Sequence, residues 1–304
     1  MIENYIKKLI VNLPPYITNR KKPLKIDLIL DGGMFNGSYL IGGLYFLKEL
    51  EKLKYIKIQR ISGCSVGSIM GFLYIIDALH LAETLYSSFF ENFKKDHHLT
   101  IMMKLHQLLK KYIPSNIQDL TKNKFFVTYY NMKLKKKIVK QTYKNQKEII
   151  QVLIRSCFVP MVINGNLLYK NKYLDGINPY IFPLCKRKIL YLDLYGYDKI
   201  INMICVKNEK TNIHRILCGL LDIHTFFIKQ TNTSMCSYMN DWTIFHKLHH
   251  GMKYILEKIN LCILSFCILV KKNFPEQLEE HVLYKMISNI MYDIYNNIIG
   301  CYCV

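Results

Sequence analysis

RISGCSVGSIMGF, residues 60–72, sets one serine between two glycines where an apolar stretch gives way to a helical one. Before it, YIKIQRIS (55–62) reads as a strand, and after it residues 68–81 carry Ile, Leu, Met and Phe at helical spacing. A serine on so sharp a strand-to-helix turn is lifted clear of the backbone, and Gly63 and Gly67 relieve the crowding there. It would stand at a helix N-terminus, where the dipole favours a developing negative charge. Read that way, Ser65 is a nucleophile. The same residues also suit a plain turn, so the surroundings have to decide.

One strand earlier the arrangement repeats. LKIDLIL (24–30) is a short apolar strand, DGGMFNG (31–37) a glycine-rich turn, and SYLIGGLYFLKELEKL (38–53) a helix. Glycines at a helix start leave backbone N–H groups uncovered, and such groups bind phosphate or an oxyanion. The turn does not meet G-x-G-x-x-G and holds no G-K-[ST], which leaves an oxyanion hole upstream of Ser65. Strand, turn, helix twice over predicts a parallel sheet covered by helices.

Further along, residues 82–120 read as amphipathic helix, and 125–132 with 136–143 as a hairpin. KEIIQVLIRSC reads as a helix. LLYKNKYL (167–174) reads as a strand leading into Asp175-Gly176, followed by strands within 188–196 and 199–206. After Thr211 helix dominates. Residues 1–22 read as a helix, a Pro-Pro break and a basic linker, with no signal-peptide pattern, which suits an intracellular, cytoplasmic protein. The longest apolar run, LCILSFCILV (261–270), is too short to cross a bilayer. A buried helix is its expected fate, with a membrane-surface helix as the alternative.

The 304 residues are 51% hydrophobic, enough for a sizeable core, and the 42 Lys and Arg against 22 Asp and Glu leave a net charge of +20. That field draws the chain to anions. Without an arginine run, zinc-finger spacing or an RNA-recognition signature, nucleic acid is the weaker partner and an anionic membrane surface the stronger. Lys21, Lys22 and Lys133–Lys140 could serve there, although a solvated face is the plainer reading of each. The ten cysteines are scattered and read as reduced, buried thiols, Cys205, Cys262 and Cys267 among them. His246, His249 and His250 share one helical face at metal-ligand spacing, although a solvated cluster is commoner. No acidic ligand set accompanies the motifs, and neither metal nor cofactor is expected. A base for Ser65 could be Asp175, unless Asp-Gly is a mere turn, or a histidine such as His214 or His224.

Three stretches together resemble the patatin-like phospholipases, whose members carry D-G-G-G-x-R-G, then G-x-S-x-G, then D-G-[GA] with a proline beyond. This chain has DGGMFNG, GCSVGS and DGINPYIFP in that order, with Pro183 in the place of the trailing proline. RSCFVPMVI (155–163) also resembles the helix end and proline turn before the family's aspartate. The resemblance implies a three-layer α/β/α core over residues 24–190, after an N-terminal helix and linker (1–23) and before a mostly helical extension (191–304). It implies a lipid acyl hydrolase with Ser65 as nucleophile and Asp175 as base. Gly32, Gly33 and Met34 would form the oxyanion hole, and Asp31, Gly37, Gly63, Gly67 and Gly176 would support the motifs. Its substrate would be a phospholipid or another acyl ester. Met34, Asn36 and Ile177 depart from the family pattern. They leave open a catalytically degenerate domain that binds lipid or a protein partner. The last residues, CYCV, resemble a prenylation box only loosely.

Overall fold

The computed structural model describes residues 2–196, 199, 201–207, 209–273 and 282–300. Its frame is a sheet of strands β1 (Leu24–Leu30), β2 (Ile56–Cys64), β3 (Phe125–Asn131), β4 (Lys136–Lys140), β5 (Tyr173–Asp175), β6 (Lys188–Leu192) and β7 (Cys236–Tyr238). The order is β4-β3-β2-β1-β6-β7, with β5 paired to β3. β3, β2, β1 and β6 are mutually parallel, and β4, β5 and β7 run antiparallel to their neighbours. Parallel strands are covered on both faces and so read as unbroken apolar runs. β1 is buried throughout Ile26–Leu30, and its one carboxylate, Asp27, is held by Arg60 and Arg187 at 2.5 and 3.1 Å.

Helices α1 (Ile2–Val11), α2 (Pro15–Thr18), α3 (Gly37–Lys52), α4 (Ser65–Ile75), α5 (His80–Asp96), α6 (Leu105–Leu109), α7 (Ile117–Thr121), α8 (Gln146–Ser156), α9 (Ile213–Lys229), α10 (Ile244–Asn273) and α11 (Val282–Ile298) surround it. Side chains alternate across a strand, and the two faces of the sheet have separate cores. Leu28, Leu30, Val127, Leu190 and Leu192 join the large cluster under α3, α4, α8 and α9. Ile29, Phe126, Ile189 and Tyr191 face the other way, onto Phe182, Met239 and Trp242. On that second side α10 sets His250 and Lys253 against the Tyr191 ring. The result is a mostly parallel sheet flanked by helices, as the strand-turn-helix repeats predict. The sheet continues past residue 190 through β6 and β7, and α9 packs along α3.

Four expectations change. The strand expected at 167–174 shrinks to Tyr173–Asp175, because only these residues find a partner on β3. The one expected at 199–206 is instead a short 3-10 turn, Ile201–Met203. The helical stretch 82–120 breaks after α5, where His97 takes a left-handed conformation (φ 54°). The run 261–270 is only partly buried: Leu261 packs with Tyr130 and Leu174, while Ile263, Phe266, Leu269 and Val270 are exposed, as are Cys262 and Cys267. CYCV lies outside the described residues.

Candidate active site

Strand register brings the motif residues together. Leu30 pairs with Gly63, so the turn after β1 lies beside the end of β2. Cys64 pairs with Thr128, and Tyr129 with Asp175, so β3 carries Asp175 to the same end of the sheet. Open α/β sheets bind ligands at this carboxyl end of the parallel strands.

No loop separates β2 from α4. Cys64 is extended and Ser65, the next residue, opens the helix at φ 48°. A non-glycine residue in that region is strained and is held there by its surroundings. The Ser65 N–H donates to Ser156 Oγ at 2.9 Å, and Ser156 Oγ donates onward to the Thr128 carbonyl at 2.6 Å. Ser68 Oγ donates to the Ser65 carbonyl at 2.6 Å. The flanking glycines are needed for space: a Cβ on Gly63 would lie 2.6 Å from the Gly67 carbonyl oxygen, and one on Gly67 would collide with the Leu30 and Asp31 carbonyls.

Asp175 is buried on the strand end beside the Ser65 turn, close enough for the Ser65 hydroxyl to act on its carboxyl. Burial pushes the Asp175 carboxyl up to about 7, while the Ser65 hydroxyl and the N–H groups of Ile177 and Gly176 work to lower it. A carboxylate that titrates near neutrality is a far better proton acceptor than one at its ordinary value. Ile177 sits at φ 55°, a costly place for a β-branched residue. There it donates its N–H to Asp175 Oδ1 at 3.0 Å and accepts from Cys64 Sγ at 3.2 Å.

The turn after β1 closes over the same point. Gly33 adopts φ 151° and Met34 φ 44°. The Gly32 N–H is engaged by Asp31 Oδ1 at 2.9 Å. Asp31 is buried, and its Oδ2 accepts from Tyr191 Oη and Lys253 Nζ, both at 2.9 Å. Burial pushes its carboxyl up to about 6 while the Lys253 ammonium works to lower it. Lys253 also pairs with Asp193 at 2.8 Å. A small apolar cleft opens beside Ser65, lined by Met34, Val66, Ile69, Phe89, Met102 and Val159 among others.

The patatin-like phospholipase family model matches residues 28–177. These residues belong to the patatin-like phospholipase family. The family is one of lipid acyl hydrolases, and its members act on lipid acyl esters. No curated protein shows a significant match to the chain. Within the patatin-like domain, Asp31, Gly32, Gly33, Met34, Gly37, Gly63, Ser65, Gly67, Asp175 and Gly176 all lie on the two turns and the Asp-Gly corner just described. The histidines do not join them. His224 binds the Leu9 carbonyl at 3.2 Å, and His214 stands 3.6 Å from Glu209. The three α10 histidines line a separate pocket with Trp242: His246 binds Thr243, His249 faces Asp193, and His250 packs on Tyr191.

Four residues around the patatin-like domain escaped sequence reasoning. Ser156 lay inside RSCFVPMVI, where only the proline turn drew notice. Lys253 and Glu257 stand at i, i+4 on α10, a spacing that reads as a surface ion pair. Both instead point inward. Glu257 accepts from Asn178 Nδ2 at 2.6 Å and pairs with Lys137 at 3.0 Å. Arg215, fully buried on α9, donates to Asn36 Oδ1 at 3.0 Å. Where the family's loop carries its own basic residue, this chain brings a guanidinium from another helix.

Proposed function

We propose that this protein is a phospholipase A-like serine esterase working through a Ser65–Asp175 dyad. The observation that carries the reading is that strand register brings the strained Ser65 elbow and the buried Asp175 to one end of the sheet, at the edge of an apolar cleft, where burial pushes the Asp175 carboxyl up to about 7. Asp175 takes the proton of the Ser65 hydroxyl as Oγ attacks the ester carbonyl. With the Gly32 N–H engaged by Asp31, the oxyanion falls to the N–H groups of Gly33 and Met34 and to the N-terminus of α4. Collapse of the intermediate leaves the acyl group on Ser65, and Asp175 returns its proton to the departing lysolipid alcohol. Asp175 then deprotonates a water that attacks the acyl-enzyme, and the fatty acid leaves with Ser65 restored. The acyl chain lies along Ile69, Phe89 and Met102.

A second reading, a degenerate domain that binds lipid or a protein partner, draws on Met34, Asn36 and Ile177. Each has a counterweight in the geometry. Met34 keeps its backbone N–H, Asn36 receives Arg215, and Ile177 keeps its bond to Asp175. The test is hydrolysis of a short-chain chromogenic ester and of mixed phospholipid vesicles by the wild type, Ser65→Ala and Asp175→Ala. Activity confined to the wild type supports the dyad. Activity that survives Ser65→Ala, or a wild type inert on every ester, contradicts it.

A further inference from the structure

α10 is amphipathic the wrong way round for a soluble helix. Its inward side presents His250, Lys253 and Glu257 to the sheet and to the turns of the site. Its outward side presents Phe245, Leu248, Ile255, Ile259, Ile263 and Phe266, with relative exposures of 82, 60, 61, 48, 56 and 66%. These positions recur at helical spacing and form one stripe that runs to Val270, roughly 38 Å long. Exposed apolar surface on that scale marks an interaction site.

We propose that this outer face of α10 is the surface on which the protein lies against an anionic lipid bilayer. The inference rests on the lipid-hydrolase reading and adds the docking partner to it. Charge selects the occupant. The only carboxylate on α10 is Glu257, which is turned inward and buried, so the stripe carries no negative charge. Lys247 and Lys258 are exposed along one border of the stripe. A second copy of a chain with net charge +20 would bring lysine borders and like fields together, whereas anionic head groups neutralise them. Among the described residues no helix is long and apolar enough to cross a membrane, so the helix lies in the interface plane. The placement serves the chemistry. Lys253 and Glu257 tie the same helix to Asp31 and Asn178, so the site lies about one helix width, ~10 Å, from the docked surface.

The test is co-sedimentation of the full chain with vesicles of phosphatidylcholine mixed with phosphatidylglycerol, and of phosphatidylcholine alone. Wild type is compared with Leu248→Glu/Ile259→Glu/Phe266→Glu and with Lys247→Glu/Lys258→Glu, each checked for cooperative thermal unfolding. Wild type is expected on the mixed vesicles. The triple variant should lose about tenfold or more in partitioning, and the lysine variant several-fold on mixed vesicles only. A Phe266→Trp variant keeps the face apolar, and its emission should move to the blue when mixed vesicles are added. Wild-type binding by the triple variant, or unmoved emission from Phe266→Trp, overturns the proposal. So does a dimeric wild type that becomes monomeric in the triple variant while vesicle binding persists. Hydrolysis of a water-soluble ester by wild type separates the two readings: docking through this face without hydrolysis leaves the surface assigned and removes the dyad.

Discussion

The half of the chain up to Asp175 and the half after Lys188 meet at the same site by different means. The first half places Ser65, Asp175 and the turn after β1 through strand register and short turns, the turns local in sequence and marked by glycine. The second half sends buried charges in from helices: Lys253 and Glu257 from α10 and Arg215 from α9. Turn chemistry leaves a sequence signature because only a few residues fit such backbones. A long-range ion pair leaves none, because lysine, arginine and glutamate are ordinary on any helix. The proposed reacting groups therefore lie in the patatin-like domain, while the C-terminal helices send buried charges against its loops.

The largest expected effect lies in the first half. Ser65→Ala and Asp175→Asn should each lower kcat/KM on a soluble ester by about 10³-fold or more, with folding retained. Equal activity in either variant breaks the division of labour at once. Next is Lys253→Met, which strands the buried Asp31 carboxylate and the partly exposed Asp193. A loss of about 3–5 kcal/mol in denaturant titration is expected, partly recovered by adding Asp31→Asn. A loss under about 1 kcal/mol would make the C-terminal contact ornamental. Ser156→Ala removes the acceptor of the Ser65 N–H and the donor to Thr128. It should cost about 1–3 kcal/mol and lower kcat more than it raises KM, since the elbow slackens while the cleft stays. The smallest effect is a gain. Ile177→Gly relieves a β-branched residue at φ 55° and should stabilise the fold by about 1 kcal/mol, read as a higher melting temperature. A loss instead would mean that the isoleucine side chain is needed in place.

Legibility followed the same divide. β1 was read to the residue from LKIDLIL, and the elbow at Ser65 from Gly63 and Gly67, because close backbone approach admits no Cβ there. The strain at Ile177 was foreseeable from the D-G-[GA] pattern. The strand at 199–206 was misread because Ile201–Met203 has strand-like composition but no partner on the sheet. β7 was missed because Cys236–Tyr238 is only three residues long and acquires its conformation from β6. The run 261–270 misled for a physical reason: periodicity shows that a helix has an apolar face, not which way that face points. Lys253 and Glu257 turn inward, and the apolar side is left outside.

The most direct measurement is covalent labelling of Ser65. A fluorophosphonate ester loses fluoride to an activated serine oxygen and leaves a phosphonyl adduct that mass spectrometry locates. The adduct should fall on the peptide containing Ser65, be absent from Ser65→Ala and be slowed severely in Asp175→Asn. Its rate should rise with pH as Asp175 loses its proton, half-maximal near about 7. An adduct on any other residue, or an unlabelled and inert wild type, would contradict the Ser65–Asp175 dyad.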